Sequence, residues 1–289
     1  MLLKRLFEAT QRARVARAGP ATPRVELPRV ELPLEEERRL YEAHGRAPVE
    51  RHLDILFGDY RIGDERFIDM YREAMRVTGT VLTPFNVFQR FDTRAQLCRY
   101  LLATLDVPGR RAECGAYRGA TALLLCRAMR SRQPSFDGQA MHLIDSFSGT
   151  SHNVAQDLIA VRDTDRNGDV RMAEFFEAGK TDASEEAVRA AFASEFPAVA
   201  VHAGWIPAVL SSLPESSWAF VHLDVTLYEP TLAALAYFHP RLSSGGVILC
   251  DGSIFCPGAE AAFRSYCERN ALGYAVLGHR EYVLTNEAR

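Results

Sequence analysis

No run of apolar residues in this sequence is long enough to cross a bilayer as a helix, so a helical membrane span is not expected. Positive charge is not in surplus either. Lys and Arg number 34 against 37 Asp and Glu, a formal net charge of -3, and no broad basic surface for nucleic acid is expected. The six cysteines (Cys98, Cys114, Cys126, Cys250, Cys256 and Cys267) form no Cys-x-x-Cys and no histidine-partnered spacing. That removes the common zinc and dithiol patterns and suits reduced, buried thiols in a cytoplasmic protein. The dinucleotide fingerprint G-x-G-x-x-G is missing as well. Residues 1–18 are arginine-rich but lack the apolar centre of a secretory signal, and read as a solvated amphipathic arm, with a transit-like or membrane-surface helix as the alternative.

What is present is E-C-G-A-Y-R-G, Glu113 to Gly119, opening into the apolar, helix-forming stretch Ala120 to Met129. A strand that ends in glycines and leads into a helix makes a cradle for a nucleotide-like group. A strand–helix turn that needs glycine only for packing has the same local signature. About one βαβ unit later comes Asp145 in M-H-L-I-D-S-F, where a carboxylate can accept hydrogen bonds from both ribose hydroxyls. Glu113 beside a pyrophosphate would be repelled, whereas beside a sulfonium or ammonium it is favourable. The ligand implied is a ribose-bearing cation, which S-adenosylmethionine (SAM) fits. An NAD-dependent oxidoreductase is disfavoured by the same residues.

Further on, Trp218 to Val225 reads as a buried strand carrying Asp224 at its end. Tyr228 to Leu242 reads as a helix and Gly245 to Asp251 as the next strand. Tyr274 to Gly278 and Glu281 to Thr285 suit an antiparallel hairpin closing the sheet. The expected fold is α/β: a doubly wound, mostly parallel seven-stranded sheet, with ligands at the carboxyl edge of the strands. The expected divisions are an arm at 1–34, a helical extension at 35–91, and a SAM-binding domain at 92–289 with a lid at about 146–180. The arm repeats V-E-L-P and reads as extended.

With V-P-G-R-R-A-E-C-G-A-Y-R-G, I-D-S-F-S-G, H-A-G-W-I-P-A-V-L, H-L-D-V-T-L-Y-E-P-T, P-R-L-S-S-G-G-V-I-L-C-D and P-G-A in that order, the chain from about Tyr71 onward resembles the macrocin O-methyltransferase family of class I SAM-dependent methyltransferases. The resemblance implies that Glu113, Gly115, Tyr117 and Gly119 hold the methionine end, and that Asp145 and Ser146 hold the ribose. Gly204 and Trp205 would lie near the adenine. It also implies a small-molecule hydroxyl acceptor (a sugar or glycosylated natural product), and helices before the SAM domain that build the acceptor site and the contacts of a homo-oligomer. Methyl transfer asks mainly for alignment and for removal of a proton from the attacking hydroxyl, and Asp224 is the candidate base. By residue type alone, His152, His202, His222 and His279 are further candidates. The family holds a divalent metal near such positions, which points to magnesium at Asp224 and Asp251; the alternative is that Asp224 orients the SAM amine or a substrate hydroxyl without metal. Two positions depart from its pattern: Thr226 and Gly252 stand where acidic residues are usual.

A second motif, D-T-D-R-N-G-D-V-R-M-A-E, satisfies the EF-hand calcium-loop pattern. Oxygen ligands would come from Asp163, Asp165, Asn167, Asp169 and Glu174, with Gly168 at the turn. Its flanks, V-A-Q-D-L-I-A-V and E-F-F-E-A, suit short helices. Read otherwise, the segment is an acidic lid whose turn residues fit the pattern. Thr226, Gly252 and this loop also suit a rival role, a non-catalytic, calcium-regulated binding or scaffold protein on the same fold.

Overall fold

The computed structural model describes residue 55 and residues 62–81, 90–162, 170–252, 256–277 and 280–286. The arm, part of the helical extension, His279 and the calcium-loop residues Asp163, Asp165, Asn167, Gly168 and Asp169 lie outside them.

Among the described residues, α1 (Asp64–Val77) and α2 (Arg90–Ala103) precede the sheet. The chain then alternates through β1 (Arg110–Cys114), α3 (Ala120–Arg132) and β2 (Met141–Asp145). A two-stranded ribbon follows, β3 (Ile159–Arg162) and β4 (Val170–Ala173). Next come α4 (Glu185–Ala193), β5 (Ala200–Ala203), β6 (Trp218–Leu223), α5 (Tyr228–Phe238), β7 (Leu242–Cys250) and α6 (Pro257–Arg269). The hairpin β8 (Ala275–Val276) and β9 (Tyr282–Thr285) ends the series. The sheet has seven strands in the order β5-β2-β1-β6-β7-β9-β8. Pairing is parallel from β5 through β7, and β9 runs antiparallel between β7 and β8. This is the fold expected from the sequence, terminal hairpin included.

The strands are apolar almost throughout because both faces of the sheet are covered. On one face Met141, Leu143, Phe220, Val247 and Leu249 pack with Leu97, Leu101, Leu123 and Phe192. On the other, Ala112, Ile144, Val221 and Ile248 pack with Leu235, Phe238 and Phe263. Each fully buried Leu, Ile or Phe contributes about 1.5–3 kcal/mol of transfer free energy, which favours this two-sided burial. All six cysteines are free and buried, as expected, and burial pushes the Cys98 thiol up to about 12.

One expectation is overturned. The expected flanking helices do not form: V-A-Q-D-L-I-A-V gives a single 3-10 turn at Ala155–Asp157 and then β3, E-F-F-E-A is bend and turn, and β3 pairs antiparallel with β4, which lies inside the motif itself. I-A-V-R and V-R-M-A carry β-branched residues, which favour the extended ribbon. An EF-hand needs a helix on each side of its loop, so the geometry behind the calcium reading is lacking at the described ends of this one. Glu174, just past β4, is exposed.

Candidate functional site

Along the sheet, β2 and β5 follow β1 to one side, and the chain then returns to lay β6 and β7 on the other. Reversal of this kind opens a crevice at the carboxyl ends of the strands. A cleft lies there, lined by Gly115 after β1, Asp145 and Ser146 at the end of β2, Gly204 and Trp205 after β5, and Asp224 to Thr226 after β6. Tyr117 adds to the wall, and the segment between β2 and α4, expected from the sequence to be a lid, contributes Gly149, Thr150, Ser151 and Phe176. Among the described residues of this lining the charged ones are two aspartates, with no Lys or Arg.

Seven of the residues singled out in the sequence therefore meet in one cleft: Gly115, Tyr117, Asp145, Ser146, Gly204, Trp205 and Asp224. Asp145 is held rigidly, with Oδ2 accepting from the Tyr117 amide and Oδ1 from the Phe147 amide, each at 2.7 Å. Every carboxylate oxygen has a second lone pair left for a ligand. Burial pushes the Asp145 carboxyl above its usual range, against the pull of those amides, and nearby Asp224 adds to the rise. Ser146 Oγ donates to the Gly149 carbonyl at 2.8 Å and shapes the turn into the lid. Trp205 keeps 42% of its surface exposed, an open aromatic plane at the rim. Tyr117, Phe147 and Thr226 all have positive φ, at 50°, 53° and 61°. For a β-branched residue such as Thr226 this is a strained conformation, of a kind that collects at functional sites.

Glu113, Gly119 and Asp251 stand apart from the lining. Glu113 and His222 are cross-strand neighbours on β1 and β6. Both are almost fully buried, and His222 Nδ1 lies 2.9 Å from Glu113 Oε1. Gly119 precedes α3, where an added Cβ would meet the Phe192 ring at 2.9 Å. At Gly115 an added Cβ would lie 2.0 Å from the Asp224 carbonyl oxygen, so this glycine lets the ends of β1 and β6 touch. Both glycines thus have packing reasons of their own. His202 stacks on His142 with Nε2 2.9 Å from its Nδ1, and His152 is exposed. None of these histidines is in the lining.

Two residues with structural weight escaped the sequence reading. Arg94 of α2 is 5% exposed. Its Nη2 donates to Asp224 Oδ2 at 2.9 Å and lies 3.8 Å from Asp251 Oδ2. The signal was there: Arg94, Leu97, Cys98 and Leu101 share one buried helical stripe, and a charge on such a stripe needs a partner. The other is Asp157 in the lid, 4% exposed. Its Oδ1 accepts from the Tyr228 amide at the start of α5 at 2.7 Å, and its Oδ2 accepts from Val154 at 2.8 Å. Gly258 in the P-G-A stretch makes room for it, since a Cβ there would sit 1.7 Å from Asp157 Oδ1.

A family model described as macrocin O-methyltransferase matches residues 88–277. Over 164 residues the chain is 29% identical to demethyldecarbamoylnovobiocin O-methyltransferase of Streptomyces niveus, spanning 56% of this chain and 59% of that protein. Over 159 residues it is 31% identical to 8-demethyl-8-(2,3-dimethoxy-alpha-L-rhamnosyl)-tetracenomycin-C 4'-O-methyltransferase of Streptomyces olivaceus, spanning 54% and 57%. The chain thus spans somewhat less than two thirds of the length of these curated relatives. Among solved structures, CalS11, a calicheamicin methyltransferase, shares the fold at a TM-score of 0.54 and 18% identity, with 78% of this chain and 96% of that one covered.

Proposed function

This chain belongs to the macrocin O-methyltransferase family, and we propose that it transfers a methyl group from SAM to a hydroxyl of a sugar or glycosylated natural product. One observation carries the reading. At the topological switch point lies a cleft whose charged lining residues, among the described residues, are Asp145 and Asp224, with no cationic side chain beside them. Such a site favours a cationic, ribose-bearing ligand over a pyrophosphate. The residues present fit SAM: Asp145 has lone pairs left for two hydroxyls, and Trp205 offers an exposed ring beside Gly204. The acceptor class follows the names of the two curated relatives, one of which methylates a rhamnosyl 4'-oxygen.

When bound, SAM supplies an electrophilic methyl: a C–O bond forms to the acceptor as the C–S bond breaks, its electron pair staying on sulfur. The protein's part is alignment and proton removal. Asp224 faces the cleft and takes the hydroxyl proton, which passes on to water. Gly115, Tyr117 and Gly204 shape the wall, and the lid residues Thr150, Ser151 and Phe176 close over the acceptor side. The reading is tested by calorimetric titration of the full chain with SAM and its demethylated product, followed by a panel of glycosylated acceptors read by mass. Micromolar binding with product gain of one methyl supports it. No binding of either compound would sink it.

A further inference from the structure

We infer that Arg94 takes the place of a divalent cation between Asp224 and Asp251, so that this methyltransferase works without a bound metal. The inference rests on the methyltransferase reading, and it starts from three observations in the same corner of the fold.

First, the position between the two carboxylates is filled. Asp224 and Asp251 follow the ends of the neighbouring strands β6 and β7, and the Arg94 guanidinium reaches both from α2, with Nη2 at 2.9 Å and 3.8 Å. A magnesium ion sits 2.0–2.1 Å from its oxygens and demands a near-octahedral shell, typically with several waters. A buried guanidinium against the same two oxygens occupies that shell and repels the ion. A guanidinium does not give up its charge to make way for a metal ion.

Second, the ligands that would complete a metal site are replaced by residues that cannot serve. Thr226 stands where the resembled family has an acidic residue, and its Oγ1 is turned back to the Val225 carbonyl at 2.7 Å. Gly252 has no room for a side chain: a Cβ would meet the Arg280 carbonyl oxygen at 2.3 Å and the Tyr282 ring at 2.7 Å. Among the described residues no three His, Cys, Asp or Glu side chains cluster closely enough to hold a metal ion.

Third, the guanidinium has a donor to spare. Arg94 Nη1 is buried and has no hydrogen-bond partner among the described residues. A buried donor left unpaired is costly, so its retention suits a group that must be a cation here. Arg94 does not line the cleft, and it acts as a positioning residue that fixes Asp224 toward the acceptor. The transfer is otherwise unchanged: the new C–O bond, the broken C–S bond and the proton passed to Asp224 balance with no metal-bound species.

The test uses the purified full chain and Mn²⁺ alone as probe, read by the free-ion EPR signal, with calorimetric SAM titration in EDTA alongside. Wild type is expected to leave the Mn²⁺ signal undiminished and to bind SAM equally with and without EDTA. Arg94→Ala is expected to gain Mn²⁺ affinity by at least about 10-fold over wild type, because the vacated pair of carboxylates can then take the ion. Asp251→Asn added to it should abolish that gain, and Arg94→Lys, which keeps the cation, should show none. If Arg94→Ala does not fold, the wild-type arm decides alone. One Mn²⁺ bound to wild type and lost in Asp251→Asn overturns the inference. Absence of SAM binding with a silent Mn²⁺ arm overturns instead the methyltransferase reading.

Discussion

Replacing Asp157 with alanine removes two hydrogen bonds at once, the one to the Tyr228 amide at the head of α5 and the one to the Val154 amide inside the lid. Leu227, the residue before α5, offers no side-chain cap of its own, so Asp157 caps this helix from a distance of 71 residues in sequence. Loss of a helix cap costs about 1 kcal/mol and loss of a second hydrogen bond at a buried carboxylate about 1–2, so about 2–3 kcal/mol is expected. In a chain of this size that lowers the melting temperature by about 5–10 °C. Gly258→Ala attacks the same spot from the other side, since its Cβ would sit 1.7 Å from Asp157 Oδ1 and 2.8 Å from the Tyr228 nitrogen. It should cost about 1–3 kcal/mol by overpacking. Because the first variant removes the atom that the second collides with, the double variant should fall short of additivity by about 1 kcal/mol or more. Urea denaturation of the four proteins of the cycle measures this. Costs that add to within about 0.5 kcal/mol would refute the packing argument for the lid anchor.

Other consequences are equally open to measurement. Trp205→Ala, at an exposed position, should leave the melting temperature of the ligand-free protein within about 1 °C while weakening SAM about 10-fold, and unchanged SAM affinity would remove the indole from the site. Burial, then His202 and Arg110, hold His142 down from 6.5 to about 4. Its neutral form is therefore preferred in the fold, the unfolded chain binds more protons between those values, and stability falls as pH drops from about 6.5 to about 4. The loss attributable to this ring is about 2–3 kcal/mol, and a His142→Gln protein should show a correspondingly flatter stability profile across that window. Glu113→Ala should destabilise the fold by about 3 kcal/mol or more, because it strips the acceptor from the fully buried His222; a cost below about 1 kcal/mol in denaturant titration would contradict the pairing. Gly252→Asp should be destabilised by a similar amount, about 2–4 kcal/mol, through collision with the Arg280 carbonyl, and should gain no Mn²⁺ binding by EPR.

The residues whose meaning was legible are those whose physics is local. Apolar strands followed by helices, the carboxylates at strand ends, and glycines at 115 and 204 follow from periodicity and turn chemistry, and these determine the doubly wound sheet and the cleft at its carboxyl edge. The lid shows where local reading strays. I-A-V-R runs up to the EF-like motif and V-R-M-A lies inside it, yet the two pair with each other as strands, because their branched residues suit the extended ribbon better than a helix.

What the sequence by itself determined, then, is the order of elements, the buried state of the cysteines, and the gathering of Tyr117, Asp145, Trp205 and Asp224 at one edge. Only the tertiary structure decided what the carboxylates do there. Glu113 meets His222 through strand register, Asp157 reaches the head of α5, and Arg94 closes on Asp224 across 130 residues of chain. No spacing in one segment encodes such partners. A buried charge declares that it needs a counter-ion, but which one it finds depends on how two distant elements are brought together, and that is settled only when the helices dock on the sheet.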